Sequence, residues 1–206
     1  MGETEKDFFY STNTIQTMAK VYMFLAEGFE DIEALIPLDV LRRGGVDVNT
    51  VSITDQNLVV SAHGVAMLAD WTFEECDLSD ADLLMLPGGM PGATNLNAHE
   101  GLKQALVAQN ERGGLISAIC AAPLVLGGLG LLNGRRATCY PGFEQTLTGA
   151  TYTAELCTVD GNITTGEGPA AAFPYAYTLL ARLTDQATAD AIAEGMRYVH
   201  LMSGEK

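Results

Sequence analysis

The stretch Leu115–Leu124, "LISAICAAPL", decides the architecture. Its first five residues are apolar or small and follow Gly113-Gly114, so they read as a short buried strand. A helical run from Ala121 to Leu132 follows at once, despite its glycines. Cys120 therefore stands at a tight junction between a strand and a helix.

The same alternation extends in both directions. Val21–Ala26 reads as a buried strand, and Ile32, Leu35, Ile36, Leu38, Val40 and Leu41 keep a helical period that Gly44-Gly45 stops. Pro37 lies inside that run and predicts a kink or a break. "VDVNTVSIT" (46–54) reads as an alternating strand, and "LVVSAHGVAMLAD" (58–70) as one or two short strands around a glycine turn. "DADLLML" (80–86) is a buried strand that runs into Pro87-Gly88-Gly89. "MPGATNL" (90–96) reads as a loop, and an amphipathic helix starts at Asn97 or His99 and ends at Arg112. "GRRATCY" (134–140) reads as a strand ended by Pro141, and Asp160-Gly161 between two extended runs predicts a hairpin. A helix is expected over 169–183 with proline near its first turn, and Thr184 as the cap of a last helix reaching about Met202.

Alternating strands and helices predict an α/β fold: a doubly wound, mostly parallel sheet with helices on both faces. No repeat, low-complexity tract or linker interrupts the chain. One domain is expected over 18–206, with 1–17 as an N-terminal extension or alternative start.

Composition narrows the partners. The chain is 48% hydrophobic, enough for a substantial core. Twenty-six acidic against 11 basic residues give a formal charge of −15, which disfavours phosphate backbones and anionic membranes. The longest apolar runs fall short of a membrane span, and the first residues carry acids rather than an apolar signal core. Cytoplasm is the default expectation. Cys76, Cys120, Cys139 and Cys157 are far apart and form no CxxC, so free thiols are expected and no metal site.

In doubly wound folds ligands bind outside the carboxyl ends of the strands. Three stretches fall there: the loop after Ala26, the Pro87-Gly88-Gly89 loop, and Cys120. A helix start behind Cys120 would favour the thiolate and lower the thiol pKa, although a cysteine is equally at home as a small buried hydrophobe. Gly88-Gly89 frees N–H groups that could bind an oxyanion, or simply makes a tight turn. Glu27, Glu30, Asp31 and Glu33 suit the start of a helix, but Glu33 sits next to the apolar stripe. Burial there would keep its carboxyl protonated and able to donate to a thiolate. Histidine is scarce: His99 and His200 fall on exposed helical stretches, while His63 in "SAHG" could reach the crevice.

Three stretches together, "LAEGFEDIEALIPLDVLRRGGVDV" (25–48), "LLMLPGGMPGATNL" (83–96) and "ISAICAAP" (116–123), resemble the ThiJ/PfpI superfamily, most closely its DJ-one and YajL-like branch. The resemblance runs from about Val21 to the last helix. It implies a flavodoxin-like fold and a homodimer. It also implies a reactive Cys120, a partner carboxyl at Glu33, backbone donors at Gly89 and Ala121, and a further family glutamate at Glu30. Members of the family are described as cofactor-free glyoxalases, as deglycases of methylglyoxal adducts, and as oxidative-stress sensors or chaperones.

Two departures bear on function. Ala121 follows the cysteine where the protease-like branch has histidine. Tyr140 stands before Pro141 where the DJ-one branch has histidine, and a phenol of ordinary pKa about 10 replaces an imidazole poorly as a base. His63 occupies a position often held by arginine and is a candidate for the missing imidazole.

The first expectation is therefore a cofactor-free enzyme acting on small reactive aldehydes or their adducts through Cys120 and Glu33. The alternative is a redox sensor or chaperone that works by oxidation of Cys120. A peptidase or amidase comes third, because it needs a base beside the thiol.

Overall fold

The computed structural model describes residues 18–204, so the expected extension over 1–17 lies outside the described residues. The chain opens with β1 (Lys20–Leu25), α1 (Asp31–Arg43) and β2 (Asp47–Ser52). A hairpin of β3 (Leu58–Val60) and β4 (Ala66–Leu68) follows, then the two-residue β5 (Trp71–Thr72). Next come β6 (Leu83–Leu86), α2 (Gly92–Ala98), α3 (Glu100–Glu111), β7 (Leu115–Ile119) and α4 (Pro123–Gly128). Short β8 (Arg136–Ala137) and β9 (Thr151–Tyr152) precede the hairpin of β10 (Cys157–Asp160) and β11 (Ile163–Gly166). The chain ends in α5 (Ala172–Leu183), α6 (Gln186–Gly195) and α7 (Tyr198–Ser203).

The central sheet has seven strands in the order β10-β11-β7-β6-β1-β2-β5. All neighbours are parallel except β10, which runs against β11. Its five inner positions, β2-β1-β6-β7-β11, follow the flavodoxin-like order 2-1-3-4-5. One face packs on α1, α5 and α6 through Leu38, Leu41, Tyr175, Leu179 and Ala189; the other packs on α2, α3 and α4 through Leu96, Leu102, Leu106 and Val125. Strands β1 and β6 are buried on both faces, which is why they read as unbroken apolar runs.

Several local expectations need correction. α1 runs unbroken through Pro37, because Ala34, Pro37, Leu38 and Leu41 bury one stripe whose packing outweighs the lost hydrogen bond. Residues 92–98 form a helix rather than a loop; with only Ala93 and Leu96 as buried apolar side chains, seven residues carry too little periodicity to be read. The strand expected over 134–140 shrinks to Arg136–Ala137. The helix behind Cys120 spans only Pro123–Gly128. The last helix is two, broken at Arg197, whose φ is 62°. Its cap is Asp185 rather than Thr184, the Asp185 carboxylate accepting from Thr188 N–H at 2.8 Å. His99 is a half-buried helix cap rather than a solvated side chain: Nδ1 accepts from Leu102 N–H at 3.0 Å, and the ring meets Phe73 edge-on.

Candidate active site

The strand order reverses between β1 and β6, and the loops that leave these two strands frame the crevice where ligands bind in such folds. The first loop, after Ala26, ends at Glu30, which caps α1: its Oε2 accepts from Glu33 N–H at 2.8 Å. This bond fixes the first turn and points Glu33 inward, where it is fully buried. The second loop brings Gly88 against it, and Gly88 N–H donates to Glu33 Oε2 at 2.9 Å. Gly88 therefore spends its N–H on Glu33 and leaves none for an oxyanion. A Cβ at Gly88 would lie 2.6 Å from Glu33 Oε2 and 2.7 Å from Cys120 Cβ, so carboxylate and cysteine converge on one point.

Cys120 has a left-handed backbone, φ 64°, which costs a non-glycine residue roughly 1 kcal/mol. Two main-chain bonds hold it there: Cys120 N–H donates to Gly166 O, and Tyr140 N–H donates to Cys120 O, both at 2.9 Å. The residue is only 8% exposed, so it is largely shielded from solvent.

The thiol does not titrate as the sequence leads one to expect. Burial lifts its pKa well above the ordinary thiol range, and the charge and hydrogen bond of Glu33 lift it further; the N–H groups of Gly89 and Ala121 pull it down without compensating. α4 is six residues long and starts three positions beyond the sulfur, too little and too late for its dipole to dominate. Burial also raises the Glu33 carboxyl to about 7, with the neighbouring Glu30 charge adding to the rise and the bonds from Cys120 and Gly88 opposing it. The two groups titrate as a pair. Below about pH 7 both are neutral; above it they carry one negative charge between them. The nucleophilic form is the tautomer with thiolate on Cys120 and the proton on Glu33.

The other named residues are placed less centrally. Tyr140 keeps its main chain on Cys120 and its ring beside Gly168, 46% exposed. His63 is not brought to the sulfur: its Nδ1 pairs with Asp31 Oδ2 at 2.7 Å on an exposed turn. That hydrogen bond, and then the Asp31 charge, raise the imidazole pKa, while no imidazole is among the groups that act on the Cys120 thiol. Asp31, a residue the sequence reading treated as a helix-dipole acid, is what holds His63. Burial works against its ionisation, but the bonds from Ser61 and His63 prevail and lower its pKa. Among the described residues, Glu30, Asp31 and His63 bring ligand-type atoms within 4.8 Å of one another, yet Asp31 and His63 already satisfy each other. All four cysteines are free thiols.

Likeness to other proteins fits this construction. The profile of the DJ-1/PfpI family matches residues 19–182. Protein DJ-1 homolog B of Arabidopsis thaliana is 39% identical over 180 residues, covering 86% of this chain but 41% of that protein, so the chain spans about two fifths of the relative's length. A protein of Pyrococcus horikoshii named a deglycase is 31% identical and covers 73% of this chain and 91% of its own. Among solved structures, a DJ-1 superfamily protein from Salmonella typhimurium superposes with a TM-score of 0.84 at 38% identity, covering 87% of this chain and 98% of its own. Toxoplasma gondii DJ-1, oxidized, superposes with a TM-score of 0.83 at 34% identity, covering 86% and 97%. A flavodoxin-like sheet, a strained cysteine directly after β7 and a buried carboxyl facing it thus coincide with sequence likeness over most of the chain, and the chain belongs to the DJ-1/PfpI family.

Proposed function

We propose that this protein is a cofactor-free enzyme that uses Cys120 to convert small reactive dicarbonyls of the methylglyoxal type, or the adducts they leave on other molecules. The observation that carries the reading is the Cys120–Glu33 pair, a buried sulfur and a buried carboxyl that hold one proton between them near neutral pH. A family relative named a deglycase supports it.

The chemistry follows from the pair. The thiolate attacks the aldehyde carbon and forms a C–S bond, giving a hemithioacetal whose oxygen takes the proton from Glu33. The Gly89 and Ala121 N–H groups steady the developing oxyanion. Glu33 then removes the proton from that carbon and returns one to the adjacent carbonyl carbon through an enediol. One carbon is oxidised and its neighbour reduced, so no external redox partner is needed. Water cleaves the resulting thioester, releasing lactate and the thiol. The test follows methylglyoxal loss and lactate gain. Cys120→Ser is expected to lose activity on the order of a thousand-fold or more; an unchanged rate would sink the reading.

A second reading, redox sensing, is favoured by a sulfur that has no imidazole beside it and by the Toxoplasma relative described as oxidized. Here two peroxide molecules each give one oxygen to Cys120 and leave as water, producing a sulfinate. Mass spectrometry after mild peroxide separates the two: a stable gain of two oxygens at Cys120 without aldehyde turnover favours sensing.

The expected partner is a second copy of the chain. α1 exposes Ile32 and Leu35, and the β3–β4 hairpin, tied to the start of α1 through Gly28 N–H to Val60 O and Ala62 N–H to Phe29 O, exposes Leu58 and Leu68. Leu35→Glu is expected to convert a dimer to a monomer in analytical ultracentrifugation; an unchanged mass would move the interface elsewhere. Four free thiols fit a reducing cytoplasm, and among the described residues no helix is long and apolar enough to cross a membrane.

A further inference from the structure

The core near Glu33 contains hydroxyl groups that the chemistry above does not use. Tyr175 on α5 is fully buried, and so is Ser117 on β7. Neither Tyr175 OH nor Ser117 Oγ has a hydrogen-bond partner of good geometry among the described residues, and the same holds for Glu33 Oε1. Phenylalanine and alanine would fill these two positions without stranding a polar atom, so the hydroxyls call for a reason.

The three groups share one interior region. Ser117 lies two residues before Ile119 on β7 and so faces the same side of the sheet. The Tyr175 ring packs over that side: a Cβ at Gly166 would meet Ile119 Cγ1 at 2.8 Å and Tyr175 Cδ2 at 3.0 Å. Tyr175, Ile119 and Cys120 belong to one core cluster, and further along the helix α5 clamps the same face where Arg182 Nη1 donates to Thr164 Oγ1 at 2.7 Å. The Ser117 hydroxyl lies near enough to the Tyr175 hydroxyl to pull its pKa down against burial, while Cys157 on β10 and Glu33 on α1 are near enough to push it up. Glu33 itself meets Cys120, Glu30 and Gly88 N–H.

We propose that Tyr175 and Ser117 are positioning residues of the Cys120 site, their hydroxyls forming a buried hydrogen-bonded bridge, closed by one water molecule, that donates to Glu33 Oε1. A buried water needs two to four polar partners; Tyr175 OH, Ser117 Oγ and Glu33 Oε1 are each buried without one, and Ser117 and Glu33 both act on the Tyr175 hydroxyl. Tyr175 stays protonated at every physiological pH, because burial pushes its pKa well above the usual phenol value, so it remains a donor. The bridge stabilises the carboxylate of Glu33 and thereby sets the pH at which the Cys120–Glu33 pair gives up its first proton.

The inference rests on these two residues acting together, as in the reading above, but its test does not use aldehyde turnover. Alkylation of Cys120 by iodoacetamide, resolved by mass spectrometry in the full chain, is followed from about pH 5 to about pH 10. Tyr175→Phe removes only the hydroxyl and is expected to move the midpoint upward by about one unit. Ser117→Ala is expected to move it the same way, and the double variant no further than the larger single one, since both break one bridge. A change in melting temperature with an unmoved midpoint would reduce Tyr175 to a packing residue and overturn the proposal, as would a downward shift. Should Tyr175→Phe fail to fold, Ser117→Ala alone decides. A shifted midpoint in a chain that consumes no methylglyoxal keeps this inference and removes the enzymatic one.

Discussion

Glu33→Gln is expected to stabilise the protein by about 3 kcal/mol at about pH 8, and at the same time to suppress aldehyde turnover. Glutamine fits the same space and can still accept from Gly88 N–H through its carbonyl oxygen. What it removes is a buried negative charge. The folded chain holds the Glu33 proton up to about pH 7, whereas the unfolded chain releases it near the ordinary value of 4.5. The folded state therefore binds more protons across that window, and its stability falls as pH climbs through it. The variant has no such slope. Its gain over the parent is absent at about pH 4, grows between the two values and is complete above about pH 7, corresponding to roughly 5–10 °C in Tm for a chain of this size. Urea unfolding of both proteins at the two extremes measures it; a variant no more stable than its parent at about pH 8 refutes the buried charge. The functional loss comes from the missing proton carrier. An amide cannot move a proton between the two substrate carbons, so methylglyoxal turnover is expected to fall on the order of a hundred-fold or more. It falls although removing the Glu33 charge also removes one of the causes that lift the Cys120 thiol.

Gly88→Ala is the second large effect. The new methyl would lie 2.6 Å from Glu33 Oε2, 2.7 Å from Cys120 Cβ and 2.8 Å from the Ile119 carbonyl oxygen. The last of these is main chain inside the central sheet and cannot yield, so the loop or the two reacting side chains must shift. A stability loss of about 2–3 kcal/mol is expected from overpacking. Displacing the pair by even an ångström is expected to lower Cys120 reactivity on the order of a hundred-fold. Gly128→Ala is the control: its Cβ would find only Asn97 Oδ1, at 3.7 Å, and alanine suits the end of a helix better than glycine. If both variants behave alike in unfolding and alkylation, close approach at Gly88 has no special role.

The contrast between those two glycines shows what a sequence can and cannot convey. The alternation of buried strands with helical runs was enough for the sheet and its two covered faces, because burial on both sides leaves unbroken apolar stretches such as Leu83–Leu86. Cys120 was legible as the residue between β7 and the helix behind it, and Glu33 as a carboxyl beside an apolar stripe. Their mutual titration was not, because it depends on depth of burial and on the distance between groups 87 positions apart. The reading of a lowered thiol pKa assumed a full helix at its back, and α4 supplies little more than one turn. The partner of His63 was equally hidden: Asp31 looked like an ordinary acid in a first turn, and only the return of the β3–β4 hairpin over α1 brings the two together. Tyr175 and Ser117 carry no local signal at all. A tyrosine on an apolar helix face and a serine in a buried strand look like ordinary core variation until both hydroxyls are found buried without a partner.

The central sheet ends on one side in the two-residue β5 and on the other in β10, four residues that run counter to the rest and finish at Asp160. A foreign strand seeking to extend the sheet finds little backbone to copy at either border, and at one of them it would meet a charged end. Templated polymerisation through main-chain pairing is thereby discouraged, and molecules that associate must do so through side-chain surfaces, where geometry can limit the assembly to a defined number of copies.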